Sequence, residues 1–229
     1  MTFPLRESRC FLDHPMNRNS DTISSEIHLH VHDRQSPAIT ERLRTACVGI
    51  AGCGGLGTVV AEVLARAGIG KLIIVDHDVI EPSNLNRQRY TISQIGMPKV
   101  KALAENLTAA CPCTNIVPVR EFITAENCAR IFQPCSIVAE CFDSAERKAA
   151  LVAGLRSALP SCIVVATSGL AGIGPGELIR TVRVSDRFYV VGDMQSDMEQ
   201  SEGLFASRVG IAASMQAHVI IRIIAGVQQ

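Results

Sequence analysis

A glycine-rich segment, Gly52-Cys53-Gly54-Gly55-Leu56-Gly57, constrains the fold of this 229-residue chain more than any other feature. It follows the apolar run 46–51 and precedes a helical pattern, and Asp76 lies 19 residues beyond Gly57. A strand, a glycine turn, a helix and a later acid outline a nucleotide site. Glycine is needed because backbone N–H groups at a helix N-terminus approach phosphate closely only where no Cβ intervenes. The motif therefore predicts nucleotide binding, without saying which nucleotide is bound.

Strand and helix patterns alternate along most of the chain. Such alternation implies right-handed crossovers and a parallel sheet with helices on both faces, and ligands bind at the carboxyl ends of its strands. The sequence thus predicts an α/β fold, a Rossmann-like and mostly parallel sheet with an antiparallel C-terminal extension. Strands are predicted at 46–51, 71–76, 115–120, 136–142 and 161–167, helices at 57–67, 97–111, 124–132 and 145–159, and a hairpin at 178–184 and 188–191 before a final helix from about residue 206.

Residues 1–40 are polar and lack sustained periodicity. They are predicted to form a partly ordered N-terminal arm before a single nucleotide-binding domain at 41–229. Within the arm, Ile27-His28-Leu29-His30-Val31-His32 alternates strictly, which predicts either a short exposed edge strand with its histidines on one face or an ordered linker. Two of these histidines could share a zinc ion, but no third ligand has an obvious spacing.

Composition excludes several classes of partner. The chain has 22 lysine and arginine residues and 22 aspartate and glutamate residues. This balance gives no net electric field that would attract nucleic acid or a membrane.

Nine cysteines, an odd number, and a start without an apolar signal core favour reduced thiols in the cytoplasm. The closest cysteines, Cys111-Pro112-Cys113, do not form zinc knuckles, so no zinc is expected. The apolar stretch 209–227 is interrupted by Gln216, His218 and Arg222, which favours a core helix over a membrane span.

The loops predicted at the carboxyl edge of the sheet carry charged residues. Asp76 is placed to accept hydrogen bonds from ribose hydroxyls, and Arg87 and Lys99 would bring positive charge to the same mouth. A dinucleotide pyrophosphate held by helix amides needs no such pair, whereas a triphosphate under attack does. The residues therefore favour ATP over NAD, although arginine and lysine also commonly lie solvated at a surface.

Two further acids have alternative roles. Asp143 follows the predicted strand 136–142, where a carboxylate could bind Mg²⁺ together with phosphate oxygens or cap the helix that begins near Ala145. Asp78 could contact the nucleotide or only order its loop. The residues alone leave these alternatives open.

Several motifs in order closely resemble the ThiF/MoeB/HesA-type activating enzymes of ubiquitin-like proteins, and more narrowly the short ThiF branch. The resemblance covers about residues 41–226 and leaves the first 40 residues outside it. The motifs are Gly-x-Gly-Gly-Leu-Gly, Val75-Asp76-His77-Asp78, Ser83-Asn84-Leu85-Asn86-Arg87-Gln88, Gly96-Met97-Pro98-Lys99, Asp143, Arg187-Phe188-Tyr189-Val190-Val191-Gly192-Asp193 and Arg208-Val209-Gly210-Ile211-Ala212-Ala213.

The resemblance implies an activity. It implies that ATP and Mg²⁺ are used to adenylate the C-terminal glycine carboxylate of a ThiS-like sulfur carrier for thiamin thiazole biosynthesis, and that the enzyme is a homodimer. A molybdopterin-type carrier, an NAD-dependent oxidoreductase and a nucleotide-bound scaffold are the alternatives. The resemblance implies that Gly52, Gly54, Gly55 and Gly57 form the phosphate turn and that Asp76 and Asp78 contact the nucleotide. It implies phosphate contacts at Asn84, Arg87 and Lys99 and Mg²⁺ binding at Asp143. The catalytic residues that it implies are Arg87, Lys99 and Asp143.

The chain also departs from these enzymes. They often receive an arginine from the neighbouring subunit, and here Arg34, Arg42 and Arg44 are candidates, none of which has the expected spacing. The zinc-binding cysteine pairs of longer relatives are absent, and segment 185–205 contains no cysteine that could capture an activated carrier. We therefore expect adenylation without a thioester or persulfide step on this chain, with sulfur supplied by another protein.

Overall fold

A computed structural model describes residues 30–197 and 201–227. Strands and helices alternate through most of this range, because short β-branched runs are separated by longer amphipathic segments. The strands are β1 Cys47–Ala51, β2 Lys71–Val75, β3 Asn115–Val119, β4 Ile137–Glu140, β5 Ile163–Thr167, β6 Arg180–Ser185 and β7 Phe188–Gly192. The helices are α1 Pro37–Thr45, α2 Gly55–Ala67, α3 Lys99–Ala110, α4 Cys128–Phe132, α5 Ala145–Ala158 and α6 Ala206–Ala225, with short 3₁₀ turns at Pro82–Asn84, Ile92–Gln94 and Gly176–Leu178.

The strands form one seven-stranded sheet in the order β3-β2-β1-β4-β5-β7-β6. Every neighbouring pair is parallel except β6 and β7, which are antiparallel. The predicted α/β class with an antiparallel C-terminal extension is therefore confirmed. The strand order reverses between β1 and β4, and such a switch point opens a crevice at the carboxyl ends of the strands.

Alternate side chains of the central strands enter two separate hydrophobic cores. In β1, Val48 and Ile50 lie in a core that also contains buried residues of α2, α3 and α6, whereas Ala51 faces a core built with α4 and α5. The period of two along a strand places successive side chains on opposite faces. Helices therefore cover both faces of the sheet, as predicted.

Helix α6 packs along α2 inside the larger core. By length and composition it is the one helix of the described residues that could cross a membrane. Its Gln216 is fully buried, donating from Nε2 to the carbonyl oxygens of Glu140 at 2.9 Å and Val165 at 2.7 Å. A buried amide with both donors satisfied fits a core helix, since an unpaired one would cost free energy.

Replacing Gln216 with methionine should lower the free energy of unfolding by about 2 kcal/mol, because two carbonyl oxygens lose their donor in a dry core. Urea denaturation measures this change. His218→Ala, an exposed position two residues along the same helix, is the matched control and should change stability little. An equal loss in both variants would show that the cost comes from the helix and not from the buried amide.

The structure differs from the sequence predictions at three places. Helix α1 was not predicted, and it lies across the expected boundary at residue 40, so the division into arm and domain stays a prediction. The helix predicted at 124–132 begins only at Cys128, because Thr124 and Asn127 cap each other across a turn. Of the two interpretations of the alternating histidines, the edge strand is wrong for its described part, where residues 31–35 form turns and a bend, and residues 27–29 lie outside the described range.

Candidate nucleotide-binding site

A cavity of about 420 Å³ opens at the switch point of the sheet. It is bounded by the segments that follow β1, β2, β4, β5 and β7, which all reach the same edge. Most of the site residues selected from the sequence line it. They are Gly54, Gly55, Asp76, Asp78, Arg87, Lys99 and Asp143.

The glycine turn brings the start of α2 to this cavity. Gly52 has a φ of 99°, a left-handed conformation that favours glycine. A Cβ on Gly57 would lie 1.8 Å from the Gly52 carbonyl oxygen, so the chain can close the turn only without a side chain there. Gly54 is the N-cap of α2, whose first backbone N–H groups lie beside the cavity. Those donors and the helix dipole favour a bound anion.

Asp76 ties the glycine turn to the end of β2. Its side chain is 8% exposed, its Oδ2 accepts the Cys53 N–H at 2.7 Å, and its Oδ1 accepts the Asp78 N–H at 2.9 Å. A carboxylate offers about four acceptor positions, so two remain after these backbone bonds. Asp76 is therefore both a structural link and an acceptor at the wall of the cavity.

Lys99 is a buried cation, with its side chain 9% exposed, and it donates to Asp78 Oδ2 at 2.9 Å. Burial alone would raise the pKa of Asp78, but the hydrogen bond and charge of Lys99, helped by His77 and Arg147, outweigh burial and lower it. Asp78 is thus a carboxylate at neutral pH. The pair holds the ammonium group at the cavity, where two of its three N–H donors remain for a ligand.

Arg87 lies over the turn. Its Cγ would be 3.3 Å from a Cβ on Gly55, so the side-chain stem packs on the start of α2. Its guanidinium donates to Asn86 Oδ1 at 2.8 Å and to the Ser83 carbonyl at 3.3 Å. These partners are neutral, so its positive charge remains available to a ligand.

Asp143 is exposed, lines the cavity, and has no hydrogen-bond or ion-pair partner among residues 30–197 and 201–227. Ser144 is the N-cap of α5, and its Oγ accepts the Arg147 N–H at 3.3 Å. The capping role that the sequence left open for Asp143 therefore belongs to its neighbour. An exposed carboxylate at the wall of a cavity can bind a hard cation such as Mg²⁺ together with phosphate oxygens and water.

A buried ion pair forms the floor of the site and was not predicted. Glu140, the last residue of β4, is fully buried and accepts from Lys148 Nζ at 2.9 Å, and that ammonium also donates to Thr167 Oγ1 at 3.2 Å. Burial raises the pKa of Glu140, and Lys148 opposes that rise. An isolated acidic residue at the end of a buried strand could have indicated a buried ion pair. Nothing in the sequence spacing, however, identified Lys148 as the partner of Glu140.

Replacing Lys148 with methionine should make stability depend on pH. The folded-state pKa of Glu140, already raised by burial, would rise further without the ammonium, so the folded protein would hold its proton more tightly than the unfolded chain. The stability that comes from this tighter proton binding is fully present below the unfolded pKa of Glu140, about 4.3. It is lost as the pH rises through the folded-state pKa of Glu140. We expect a loss of about 3 kcal/mol at pH 8 and a much smaller loss at pH 5, measured by urea denaturation.

The double variant Glu140→Gln/Lys148→Met is the control for this prediction. The amide carries no charge, so the extra pH dependence between pH 5 and pH 8 should disappear. An equal loss at both pH values in the single variant would contradict a charged Glu140 as its cause.

Two further features shape the far wall of the cavity. The Arg147 guanidinium lies 4.3 Å from the Phe142 ring centroid and 4.9 Å from that of Phe122, a cation–π arrangement. Asp193 accepts the backbone N–H groups of Gln195 and Ser196, each at 2.8 Å, and pairs with the buried Arg208. Burial would raise the pKa of Asp193, but these donors outweigh it and keep the pKa low. The loop that enters the cavity after β7 is thereby fixed at its root.

Comparison with known proteins decides the family. The sequence profile of the ThiF family matches residues 27–229, nearly the whole chain. The chain belongs to the ThiF family. It is also 40% identical over 124 residues to ubiquitin-like modifier-activating enzyme 5 of Drosophila grimshawi, covering 48% of this chain and 31% of that protein. With the Drosophila persimilis enzyme of the same name it shares 33% identity over 160 residues, covering 64% of this chain and 38% of that protein. The chain thus spans about a third of the length of these curated relatives.

Solved structures share the fold of this ThiF-family chain. Escherichia coli tRNA N6-threonylcarbamoyladenosine dehydratase, TcdA, in complex with AMP superimposes with a TM-score of 0.76 at 22% identity, covering 86% of this chain and 92% of that chain. Escherichia coli MccB with MccA-N7isoASN gives a TM-score of 0.66 at 21% identity, covering 92% and 66%. At this level of identity the similarity concerns the fold.

Besides Gly52 and Gly57, which shape the turn, four predicted residues of the ThiF-family chain do not line the cavity. Asn84 does not line it, and its Oδ1 accepts the Glu81 N–H at 3.1 Å, which caps a 3₁₀ turn. Arg42 donates to the Ala225 carbonyl at 2.6 Å, and Arg44 pairs with Glu41 at 2.8 Å. Arg34 is exposed. The phosphate contact of Asn84 and the trans role of an arginine stay predictions.

Proposed function

We propose that this chain is an ATP-dependent adenylyltransferase that activates the C-terminal carboxylate of a small ubiquitin-like carrier protein. One observation carries the proposal. A cavity at the switch point brings together the start of α2, the carboxylate of Asp76, the cations Arg87 and Lys99, and Asp143, which has no hydrogen-bond or ion-pair partner among the described residues. A dinucleotide site needs the first two features, whereas a triphosphate under nucleophilic attack also needs the cations.

The chain's own residues supply alignment and charge. A terminal carboxylate has a pKa near 3.5 and is ionised at neutral pH, so it needs no general base. It would attack the α-phosphorus of ATP, forming a bond from its oxygen to phosphorus while the bond to the leaving pyrophosphate breaks. Two anions must approach, and Arg87, Lys99 and the amides of the glycine turn offset their repulsion. The Ser-His-Asp type of catalytic machinery is not required for such a step.

The donor set also fits Mg²⁺. Asp143 is an exposed carboxylate with no described partner, and Mg²⁺ in proteins is bound through one or two carboxylates plus phosphate oxygens and water. When bound, the ion would neutralise phosphate charge. Asp76, His77 and Asp78 also place ligand atoms within 4.8 Å of one another, but Asp78 already accepts from Lys99 and Asp76 from two backbone N–H groups. Asp143 is therefore the residue that we assign to the ion.

A ThiS-like sulfur carrier is the substrate that we favour, acted on by a homodimer. The C-terminal motifs that resemble the short ThiF branch support that choice, and the complexes of TcdA with AMP and with ATP support adenine nucleotide binding in this fold. TcdA is named for its action on tRNA, but this chain has a formal net charge of +0, which offers no field for nucleic acid.

Exchange of labelled pyrophosphate into ATP tests the proposal. The purified chain with ATP and Mg²⁺ is assayed with a ThiS-type carrier, a molybdopterin-type carrier, tRNA, and no acceptor. We expect exchange only with a carrier protein, and most with the ThiS type. Exchange restricted to the molybdopterin-type carrier would overturn the ThiS assignment alone. Exchange with tRNA alone, or with no acceptor at all, would overturn the proposed function.

A further inference from the structure

A cluster of cysteines lies at the edge of the sheet opposite the cavity. Cys47 is the first residue of β1, Cys135 lies two residues before β4, and Cys162 immediately precedes β5. The Sγ atoms of Cys47 and Cys135 are 3.8 Å apart. Two thiols in contact, at the ends of adjacent strands, form an arrangement that adenylation does not use.

The two thiols have different surroundings. Cys47 is half buried and Cys135 is buried, so an external reagent reaches Cys47 first. The hydrogen bond with Cys135, in which either sulfur can be the donor, lowers the pKa of Cys47 to about 7 against the effect of burial, helped by the ammonium of Lys71, which is paired with Cys47 in the register of β1 and β2. The same hydrogen bond, together with burial and the nearby Cys162, raises the pKa of Cys135. Cys47, the more exposed thiol and the one whose pKa is lowered, is thus the nucleophile of the pair.

The backbone permits a covalent link between them. Val48 pairs with Ile137 across β1 and β4, and the Ser136 N–H donates to the Cys47 carbonyl, so Cys135 is one residue from the position directly opposite Cys47. Neighbouring strands lie about 4.8 Å apart. In regular strands a position one residue further along falls within the Cα separation of about 4.4–6.8 Å that disulfides use, and here the two Sγ atoms already lie 3.8 Å apart. Side-chain rotation can therefore bring the two sulfur atoms into bonding distance.

We propose that Cys47 and Cys135 form a peroxide-reactive dithiol site, with Cys47 as the attacking and Cys135 as the resolving thiol. The Cys47 thiolate attacks one oxygen of hydrogen peroxide, the O–O bond breaks, and hydroxide leaves as Cys47 becomes a sulfenic acid. The Cys135 sulfur then attacks the Cys47 sulfur, and the S–O bond breaks with release of water. The hydroxide takes up the proton that Cys47 lost on ionising. The sum is two thiols and one peroxide giving one disulfide and two waters.

Cys113 is the matched control for reactivity. It is half buried like Cys47, but burial raises its pKa, so little of it is thiolate at neutral pH. In the native full chain at pH 7, limiting iodoacetamide should alkylate Cys47 about tenfold faster than Cys113. This comparison within the unmodified protein does not depend on the folding of any variant. Equal rates at the two cysteines would overturn the assignment of Cys47 as the attacking thiol.

Peptide mapping after brief treatment with hydrogen peroxide tests the link itself. The native chain and Cys113→Ser should both yield a disulfide-linked peptide pair containing Cys47 and Cys135. Cys135→Ser should instead accumulate a sulfenic acid at Cys47 that dimedone traps, and Cys47→Ser should yield neither product. A disulfide from Cys47 to Cys162, or oxidation of Cys47 in the native chain without any disulfide, would overturn the proposed pair.

Discussion

Replacing Asp143 with alanine is expected to lower carrier-dependent pyrophosphate exchange on the order of 10²–10³-fold while leaving stability unchanged. The side chain is exposed, lines the cavity, and makes no hydrogen bond or ion pair within the described segments, so its loss removes no structural contact. Its role in the proposed reaction is to hold Mg²⁺ against the phosphates. The exchange assay measures the first expectation, and a urea denaturation curve that matches the native protein checks the second.

The control for this variant is Asp186→Ala. Asp186 is another exposed aspartate, with its side chain 92% exposed in an ion pair with Arg183 on the hairpin of β6 and β7. Its loss should leave exchange within a factor of about two, since surface ion pairs contribute little. Full exchange by Asp143→Ala would remove Asp143 from the mechanism. An equal decrease in both variants would point to a general effect of surface charge.

Replacing Lys99 with methionine should lower exchange by a similar factor, on the order of 10²–10³-fold. The reason differs from that for Asp143, because Lys99 is a buried cation whose ammonium is already positioned by Asp78 at 2.9 Å. Methionine fills much of the same volume but leaves the incoming carboxylate and the phosphates facing the Asp78 carboxylate without compensation. The effect should therefore appear in the rate at saturating ATP as well as in the apparent affinity for ATP.

Lys101→Met is the matched control, two residues further along α3. Its side chain is 65% exposed, and its Nζ lies 4.0 Å from Glu105 Oε1. We expect nearly native exchange and stability from it. If Lys99→Met exchanged as well as Lys101→Met does, the buried ammonium would have no part in charge compensation, and the case for a triphosphate in this cavity would lose its main cation.

The fold was predictable from the sequence because its signals are local. The apolar strands, the glycine turn and the helix that follows depend on residues close together in the chain, and their alternation determines a parallel sheet. Asp76 lies at the carboxyl edge because it directly follows β2, and the structure brings Lys99, the first residue of α3, to the same cavity. Helix α1 was not predicted because it is short and polar, and its buried residue is Leu43.

The ion pairs at the floor and the far wall of the site could not be predicted from the sequence. Glu140 and Lys148 meet only because β4 and the first turns of α5 fold back on each other, and Asp193 reaches Arg208 across a loop. Asn84 shows a local contact that its motif does not reveal. The motif implies a phosphate contact, which stays a prediction, and in the structure the Asn84 side chain caps its own turn.

The central claim is that a triphosphate binds across the start of α2 between Arg87 and Lys99. A crystal structure of the chain with a non-hydrolysable ATP analogue and Mg²⁺ tests it most directly. We predict ribose hydroxyls on Asp76, phosphate oxygens within hydrogen-bonding distance of both cations, and the metal on Asp143. A nucleotide bound elsewhere, or one in this cavity with Arg87 and Lys99 turned away from its phosphates, would contradict the account.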